Sequence, residues 1–364
     1  MWLLVDPLDV LMFRDGRPFN AGENNAAQSL FPPSAFTVQG MLRALYIEQS
    51  DIKWADAITD PRIIEAIGTP DDLGGFRMGG PYLVRRTGNA YERLFPFPAD
   101  LVGDGRGRWR VPSPVEDLQV RVDGLSLHGL DVDPDEEAPD RPLWLTESDL
   151  YDYVEGRSVE GVEQEELFCY EYRTGIGIDQ TQRSVSDGLL YAAKFVRLQT
   201  DVALVVWLPD DSPLAPLFAN SQHHTMRFGG EGHMAVISRL NDNDLYTQSF
   251  PSQPPDDKYK VVFLTPTYFA GGTLPIMQND VVRQSLISAS YGNALSIGGW
   301  NLSERKPRSI YRYLPAGSVM LFDAARADNA KVSSPLVDQP EDSLPLLPLG
   351  FGEFIYGSWE WGAR

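Results

Sequence analysis

Thirty-two glycines and 28 prolines are spread through 364 residues, so that nearly every apolar run is soon interrupted. Proline removes an amide donor and glycine loosens regular elements, so a chain punctuated this densely does not sustain long helices. It is expected to fold as short strands joined by ordered turns, and neither heptads nor an internal repeat of fixed period is visible. Runs with strand character are Met1–Val5, Gly80–Arg85, Leu189–Leu198, Val202–Leu208, Tyr259–Leu264, Ser318–Phe322 and Glu353–Trp359.

Helices are few, and local signals mark them. Ser34, after Pro32-Pro33, suits an N-cap, and Phe36, Val38, Met41, Leu42 and Leu45 follow near helical spacing. Pro61–Ile67 has proline in its first turn and Gly68 behind it. Thr146 precedes Asp149 by three residues, and Gly156 closes that segment. Ser212–Ala219, between the runs Leu189–Leu208 and Met226–Ile237, is a short helical candidate in a β-α-β arrangement. Strand, loop and helix followed by more strands predicts an α+β fold with antiparallel sheets.

Hydrophobic residues make up 43% of the chain, enough for a substantial core. No apolar stretch reaches the roughly 18 residues of a membrane span. Met1-Trp2-Leu3-Leu4-Val5-Asp6 reads as a strand rather than a leader. Cys169 is the single cysteine, which excludes an intrachain disulfide and a paired-cysteine zinc site. A cytoplasmic protein without cofactor is expected.

The net charge of −20 argues against nucleic acid until its distribution is considered. Residues 131–171 hold 15 acids and only two bases, Arg141 and Arg157; removing them from the totals of 51 and 31 leaves 36 acids against 29 bases. The segment is expected to be a solvated surface insertion, with an acidic docking surface as the alternative. It separates an N-terminal unit, residues 1–130, from a C-terminal unit, residues 172–364.

Four clusters carry chemistry. In the first, Asp6 to Phe19, a strand delivers a loop with Arg14 and Arg17, whose forked donors suit phosphate; Asp9 and Asp15 equally suit pairing with them. In the second, Ser29 to Ser34 leads into the helix carrying Gly40 and Arg43, a loop and helix start that suits a phosphate. Packing for Gly40 and a surface ion pair for Arg43 are the alternatives. The third, Arg173 to Tyr191, is polar and glycine-bearing, a protruding hairpin in which Arg173 and Arg183 supply charge. In the fourth, Gly298 and Gly299 permit close backbone approach, Trp300 either stacks on a base or fills the core, and Arg305, Lys306 and Arg308 follow. Gly229-Gly230 and Gly350-Phe351-Gly352 are further glycine turns.

Between Arg77 and Arg110, seven arginines interleave with aromatic residues, a mixture suited to single-stranded RNA; solvated arginines on an edge strand are the alternative. Catalytic patterns are thin. The histidines are His128, His223, His224 and His233, in no standard metal spacing, and there is no P-loop or GxSxG. No metal site is expected.

Phe13-Arg-Asp-Gly-Arg-Pro-Phe19, Phe31-Pro-Pro-Ser34 with Gly40 and Arg43, Gly175-Ile176-x-Ile178-Asp179, Gly229-Gly230-Glu231 and Gly298-Gly299-Trp300 occur in one order over nearly the whole chain. In this the chain resembles the third Cmr subunit family, the Cas-five-like RAMP proteins of type III-B CRISPR complexes. The resemblance implies two ferredoxin-like (RRM-like) units with an inserted thumb-like hairpin at Arg173–Tyr191. It implies a non-catalytic subunit that caps the crRNA 5′ handle through Arg14, Arg17 and the Ser34–Arg43 helix, supported by the Gly298–Arg308 loop. Implied partners are the crRNA, target RNA nearby, a large polymerase/cyclase-like subunit and a Cas-seven-like backbone subunit. The alternative is a RAMP-fold endoribonuclease that processes precursor crRNA with His128 or His233 as general base.

Overall fold

A computed structural model describes residues 1–14, 28–103, 107–122, 125–179, 184–241, 243–272, 279–301, 304, 306–332 and 336–362. The fold is α+β, dominated by antiparallel sheets. Local signals located the helices well. Helix α1 spans Ala35–Glu48 behind the N-cap Ser34. Helix α2 is Pro61–Ile67, with proline at its start and an Asp60 cap that accepts from the Arg62 amide. In α3, Glu147–Val154, the Thr146 hydroxyl accepts from the Asp149 amide. Helix α4, Asp280–Ser285, was not anticipated; the Asn279 cap is its clearest sequence signal.

Two sheets organise the chain. In the first, the strands Met234–Arg239, Trp2–Pro7, Val202–Trp207 and Gly79–Thr87 lie side by side, all antiparallel. In chain order that is fourth, first, third, second, with α1 between the first and second and the 3-10 segment Ala215–Ser221 between the third and fourth. The second sheet places Phe354–Ser358, Lys258–Phe263, Val319–Asp323 and Leu286–Ser290 in the same fourth-first-third-second order. Helix α4 again follows the first strand, and the 3-10 turn Ala324–Ala327 follows the third. One plan is thus used twice, without a repeat in the sequence.

The first sheet is covered on both faces. Leu3, Val5, Leu204 and Val206 face Val38, Leu42 and Leu45 of α1. Leu4, Ala203 and Val205 point the other way, towards Val262, Val319, Leu321 and Ile355 of the second sheet and Leu150, Tyr153 and Val154 of α3. Burial on both faces explains why these strands read as unbroken apolar runs rather than alternating ones. Tyr259, Val261, Phe263, Met320 and Phe322 face a third core with Val282 of α4.

The expected partition does not follow the sheets. Residues 131–171 are not a solvated insertion: their strand Leu143–Thr146 extends the first sheet by pairing with Ala90–Pro96. Trp144, Leu145, Leu150, Tyr153, Val154 and Val159 are buried. The acids that make the segment conspicuous are mostly solvent-facing, but Glu147 is fully buried and takes two bonds from Arg93, at 2.8 and 2.6 Å. Amphipathic folding, rather than net charge, decided the segment's place. The expected boundaries at 130 and 171 therefore fall within the chain that builds the first sheet, and the second sheet begins only at Lys258. Among the described residues, no helix is long and apolar enough to cross a membrane.

Candidate nucleic-acid interface

The strand Trp2–Pro7 delivers residues 8–14 into a slot between a hairpin and a glycine turn. Leu11 and Val196 exchange backbone bonds at 2.8 Å, tying the loop to the hairpin formed by Phe168–Asp179 and Ser184–Leu198. On the other side the Gly230 amide donates to the Met12 carbonyl at 2.8 Å. Gly229 has φ near 79°, and a methyl group there would sit 2.4 Å from that same oxygen, so only glycine fits the turn. The Phe13 amide donates to the Ser29 hydroxyl at 2.8 Å, and Leu30 returns a bond to the Phe13 carbonyl. Phe13 packs on Phe31 and Phe228, and Phe31 on Phe168. The first two sequence clusters, the base of the hairpin that carries the third, and the Gly229-Gly230 turn are thereby joined. Exposed Arg14 lies at the edge of this assembly, its backbone bridged to Ser29; Arg17 lies outside the described residues.

From Ser29 the chain runs directly into α1. Ser34 caps with its backbone rather than its side chain, whose hydroxyl lies 3.5 Å from that of Thr37. Among the described residues, a methyl group on Gly40 would meet nothing within 4 Å, so packing against them does not explain that glycine. Arg43 is not a surface ion pair. It reaches the carbonyls of Thr69 and Asp72 and the Gln39 side chain, and burial, with Arg308 close by, lowers it to about 10, still protonated at neutral pH.

Arg308 grips the same loop from the other side, donating to the Pro70 carbonyl and, at 3.1 Å, to the Asp71 carboxylate. Its amide donates to the Gly299 carbonyl at 2.9 Å. A methyl group on Gly299 would come within 3.4 Å of the Arg308 side chain and 4.0 Å of Phe36 in α1, which shows how closely the two segments approach. Gly298 is tight against Ile310, at 3.1 Å on the same measure. The fourth cluster therefore docks on the helix that the second begins. Trp300 is not a core residue: it is 56% exposed, on a two-rung hairpin where it faces Pro307. Lys306 pairs with Glu304 at 3.0 Å, and Arg305 lies outside the described residues. Phe351, from the Gly350–Gly352 turn, packs its ring on Phe36.

Other expected residues lie elsewhere or are engaged. Arg77 is exposed, its guanidinium 3.4 Å from the Phe76 carbonyl. Arg173 donates to Glu171 at 2.7 Å and lies over the Phe195 ring. Asp9 pairs with Arg197 at 3.2 Å; a backbone bond at Val10 first, and then that arginine, hold its carboxyl below the usual range. The Ile178 backbone pairs with Val185, and Arg183 lies outside the described residues. Tyr170, Tyr172 and Lys194, which sequence reasoning passed over, share one face of the hairpin. Only the register makes them neighbours.

The histidines are scattered. The His128 ring nitrogens lie 3.1 Å from the Val115 carbonyl and 3.2 Å from Arg326. His224 meets the Leu217 carbonyl at 2.8 Å, and His233 stands edge-on to Phe195. Among the described residues no group of three or more His, Cys, Asp or Glu is placed to hold a metal.

Fold and surface define an antiparallel α+β protein whose glycine turns, arginines and exposed tryptophan collect around one helix start. The model of the family described as CRISPR-associated protein (Cas_Cmr3) matches residues 3–359, and the chain belongs to that family. It is 23% identical over 238 residues to the CRISPR system CMR subunit Cmr3 of Saccharolobus solfataricus, covering 65% of this chain and 62% of that protein, under two thirds of the relative's length. The fold is similar to chains in two cryo-EM structures of type III-B Cmr-beta bound to cognate target RNA, one of them also with AMPPnP. Both have a TM-score of 0.51 and cover 88% of this chain and 86% of the other, at 17% identity for the AMPPnP-bound structure and 16% for the other. That likeness shows the shared fold.

Proposed function

We propose that the chain is a non-catalytic subunit of a type III-B CRISPR effector complex that binds the 5′ handle of the crRNA and caps that end of the assembly. The observation that carries this reading is the convergence on α1. The Arg14 loop is bridged to Ser29 just before its start, the Trp300 hairpin docks beside Phe36, and among the described residues nothing covers the helix at Gly40. A cation, a free aromatic face and uncovered helix backbone are what a single strand needs: charge for phosphate, a ring for a base, and room for close approach. The repeated fourth-first-third-second strand order, with helices after the first and third strands, supports reading both sheets as ferredoxin-like units. The large polymerase/cyclase-like subunit, the Cas-seven-like backbone subunit and target RNA are the proposed neighbours.

In the test, Arg14 and Arg17 are both changed to Glu in the co-expressed complex. The handle RNA recovered with this chain is expected to fall about tenfold or more, as the loss of two phosphate contacts implies, while its circular dichroism stays unchanged. Normal loading would count against handle binding. Incubating the same protein with repeat RNA tests the non-catalytic part; specific cleavage that disappears in His128→Ala or His233→Ala would replace capping with processing.

A further inference from the structure

Arg43, in α1, and Arg308, at the base of the Trp300 hairpin, reach the same loop, residues 69–72. Arg43 donates to the Thr69 and Asp72 carbonyls, and Arg308 to the Pro70 carbonyl and the Asp71 carboxylate. The loop is a tight turn. Gly68 has φ near 75°, a methyl group there would lie 2.2 Å from the Asp72 carbonyl oxygen, and the Asp71 amide donates to the Thr69 hydroxyl at 3.3 Å.

The contacts close on themselves. Arg43 donates to the Gln39 side chain at 3.1 Å, and the Gln39 amide group donates back to the Phe36 carbonyl at 2.9 Å. Phe36 and the Arg308 side chain both border Gly299, whose carbonyl accepts from the Arg308 amide. A ring of contacts therefore runs from α1 through the loop to the two strands that carry Trp300. Asp72 and Asp71 offset the repulsion that Arg308 exerts on Arg43. The Arg308 side chain is only 16% exposed, and its fork is committed to a carbonyl and a carboxylate, which leaves little of it for a phosphate. The strands Trp300–Asn301 and Lys306–Pro307 are two residues each, too short to hold their own geometry. The place of the Trp300 ring depends on what secures the base.

We propose that Arg43, Arg308 and Asp71 are positioning residues: through the loop at 69–72 they set where the Trp300 ring stands relative to α1, without touching RNA themselves. The proposal rests on the RNA-binding reading above and reassigns two of its arginines. Asp71, which lies outside the four sequence clusters, becomes part of the site. Its role has a sign. Were Arg308 a phosphate contact, Asp71 would compete with RNA, and removing its charge would strengthen binding. As part of the ring, its removal weakens the contact at Trp300.

The test uses the guide-loaded complex, purified through this chain, with thiouridine substituted throughout the guide RNA. After irradiation, the crosslinked peptides of this chain are mapped by mass spectrometry. Asp71 is 73% exposed, so Asp71→Asn costs the fold little. In that variant RNA attached to the Trp300 peptide should fall about fivefold or more, as the loss of one stacked base implies, while RNA attached to the Arg14 peptide stays constant. Asp71→Glu should restore the ratio of the two, and Arg308→Lys, which keeps the charge but loses the fork, should lower it. A ratio unchanged or raised in Asp71→Asn would overturn this inference and leave the handle-binding reading standing. An equal fall at both peptides, or a wild-type complex crosslinked at Arg14 and not at Trp300, would do the same. A wild-type complex crosslinked at neither peptide would overturn both.

Discussion

Glu147, at the start of α3, and Glu353, just before the strand Phe354–Ser358, are two enclosed carboxylates with very different company. Glu147 is fully buried, yet it takes both arms of Arg93 and the Gln248 amide, and Arg93 itself lies against the rings of Trp2, Tyr82 and Phe95. Glu353 keeps some surface as a residue, but its carboxyl sits in a cradle of glycines. Methyl groups on Gly79 or Gly350 would lie 2.9 and 2.8 Å from its oxygen. Its carboxyl accepts a bond from the Gly80 amide at 3.4 Å, and burial pushes it up to about 7. Enclosure without a cation raises a carboxyl, while a fitted guanidinium makes burial tolerable. The first glutamate secures the acidic segment to the sheet; the second is a cost the fold carries where its glycine turns meet.

The largest expected effect breaks the well-matched member. Arg93→Met leaves Glu147 buried without its cation and should lower stability by about 3–5 kcal/mol, read from the denaturant midpoint. Adding Glu147→Leu should recover most of that loss; if the double variant is no better than the single, the pair is not the cause. Glu353→Gln should act in the opposite direction and only at higher pH. The folded chain keeps the Glu353 proton between pH 4.5 and 7, where the unfolded chain releases it, so stability declines as pH rises through that window. The substitution should therefore add about 3 kcal/mol above pH 7 and almost nothing near pH 4. Parallel stability–pH curves for wild type and variant would remove Glu353 from the account.

A smaller contrast separates two glycines. Gly229 is held against the Met12 carbonyl with a positive φ, whereas in mid-helix a methyl group on Gly40 would meet none of the described residues within 4 Å. Glycine there weakens α1 by about 0.5–1 kcal/mol relative to alanine. Gly40→Ala should add about that much to the stability of the isolated chain while reducing RNA recovery in the complex. A variant that is stabilised and loads RNA normally would show that nothing approaches the helix at this point.

Much of the local structure was legible from residue order. Proline at Pro61, the Thr146 cap and Ser34 delimit helices through bonds made within a few residues, so neighbours in sequence suffice. Strand runs such as Val202–Leu208 were equally plain, because burial on both faces leaves no polar interruption. The Asp6–Phe19 and Ser29–Ser34 clusters stood out in the sequence as loops rich in arginine, proline and aromatic residues, and their proximity follows from the short connection between them. What escaped was any property that depends on a distant partner. Arg308 looked like one of three free cations, yet Asp71, 237 positions earlier, holds it. Trp300 and Tyr172 gave no sign in sequence of being exposed.

Residue order alone therefore determined that this chain is strand-rich, where its capped helices begin, and which loops concentrate glycine, arginine and aromatic rings. Tertiary structure decided which of those arginines remain available, that the acidic stretch extends a sheet, and that one strand plan appears twice. Capping and turn chemistry act over a few residues, whereas charge matching and strand order depend on what the folded chain brings opposite each group.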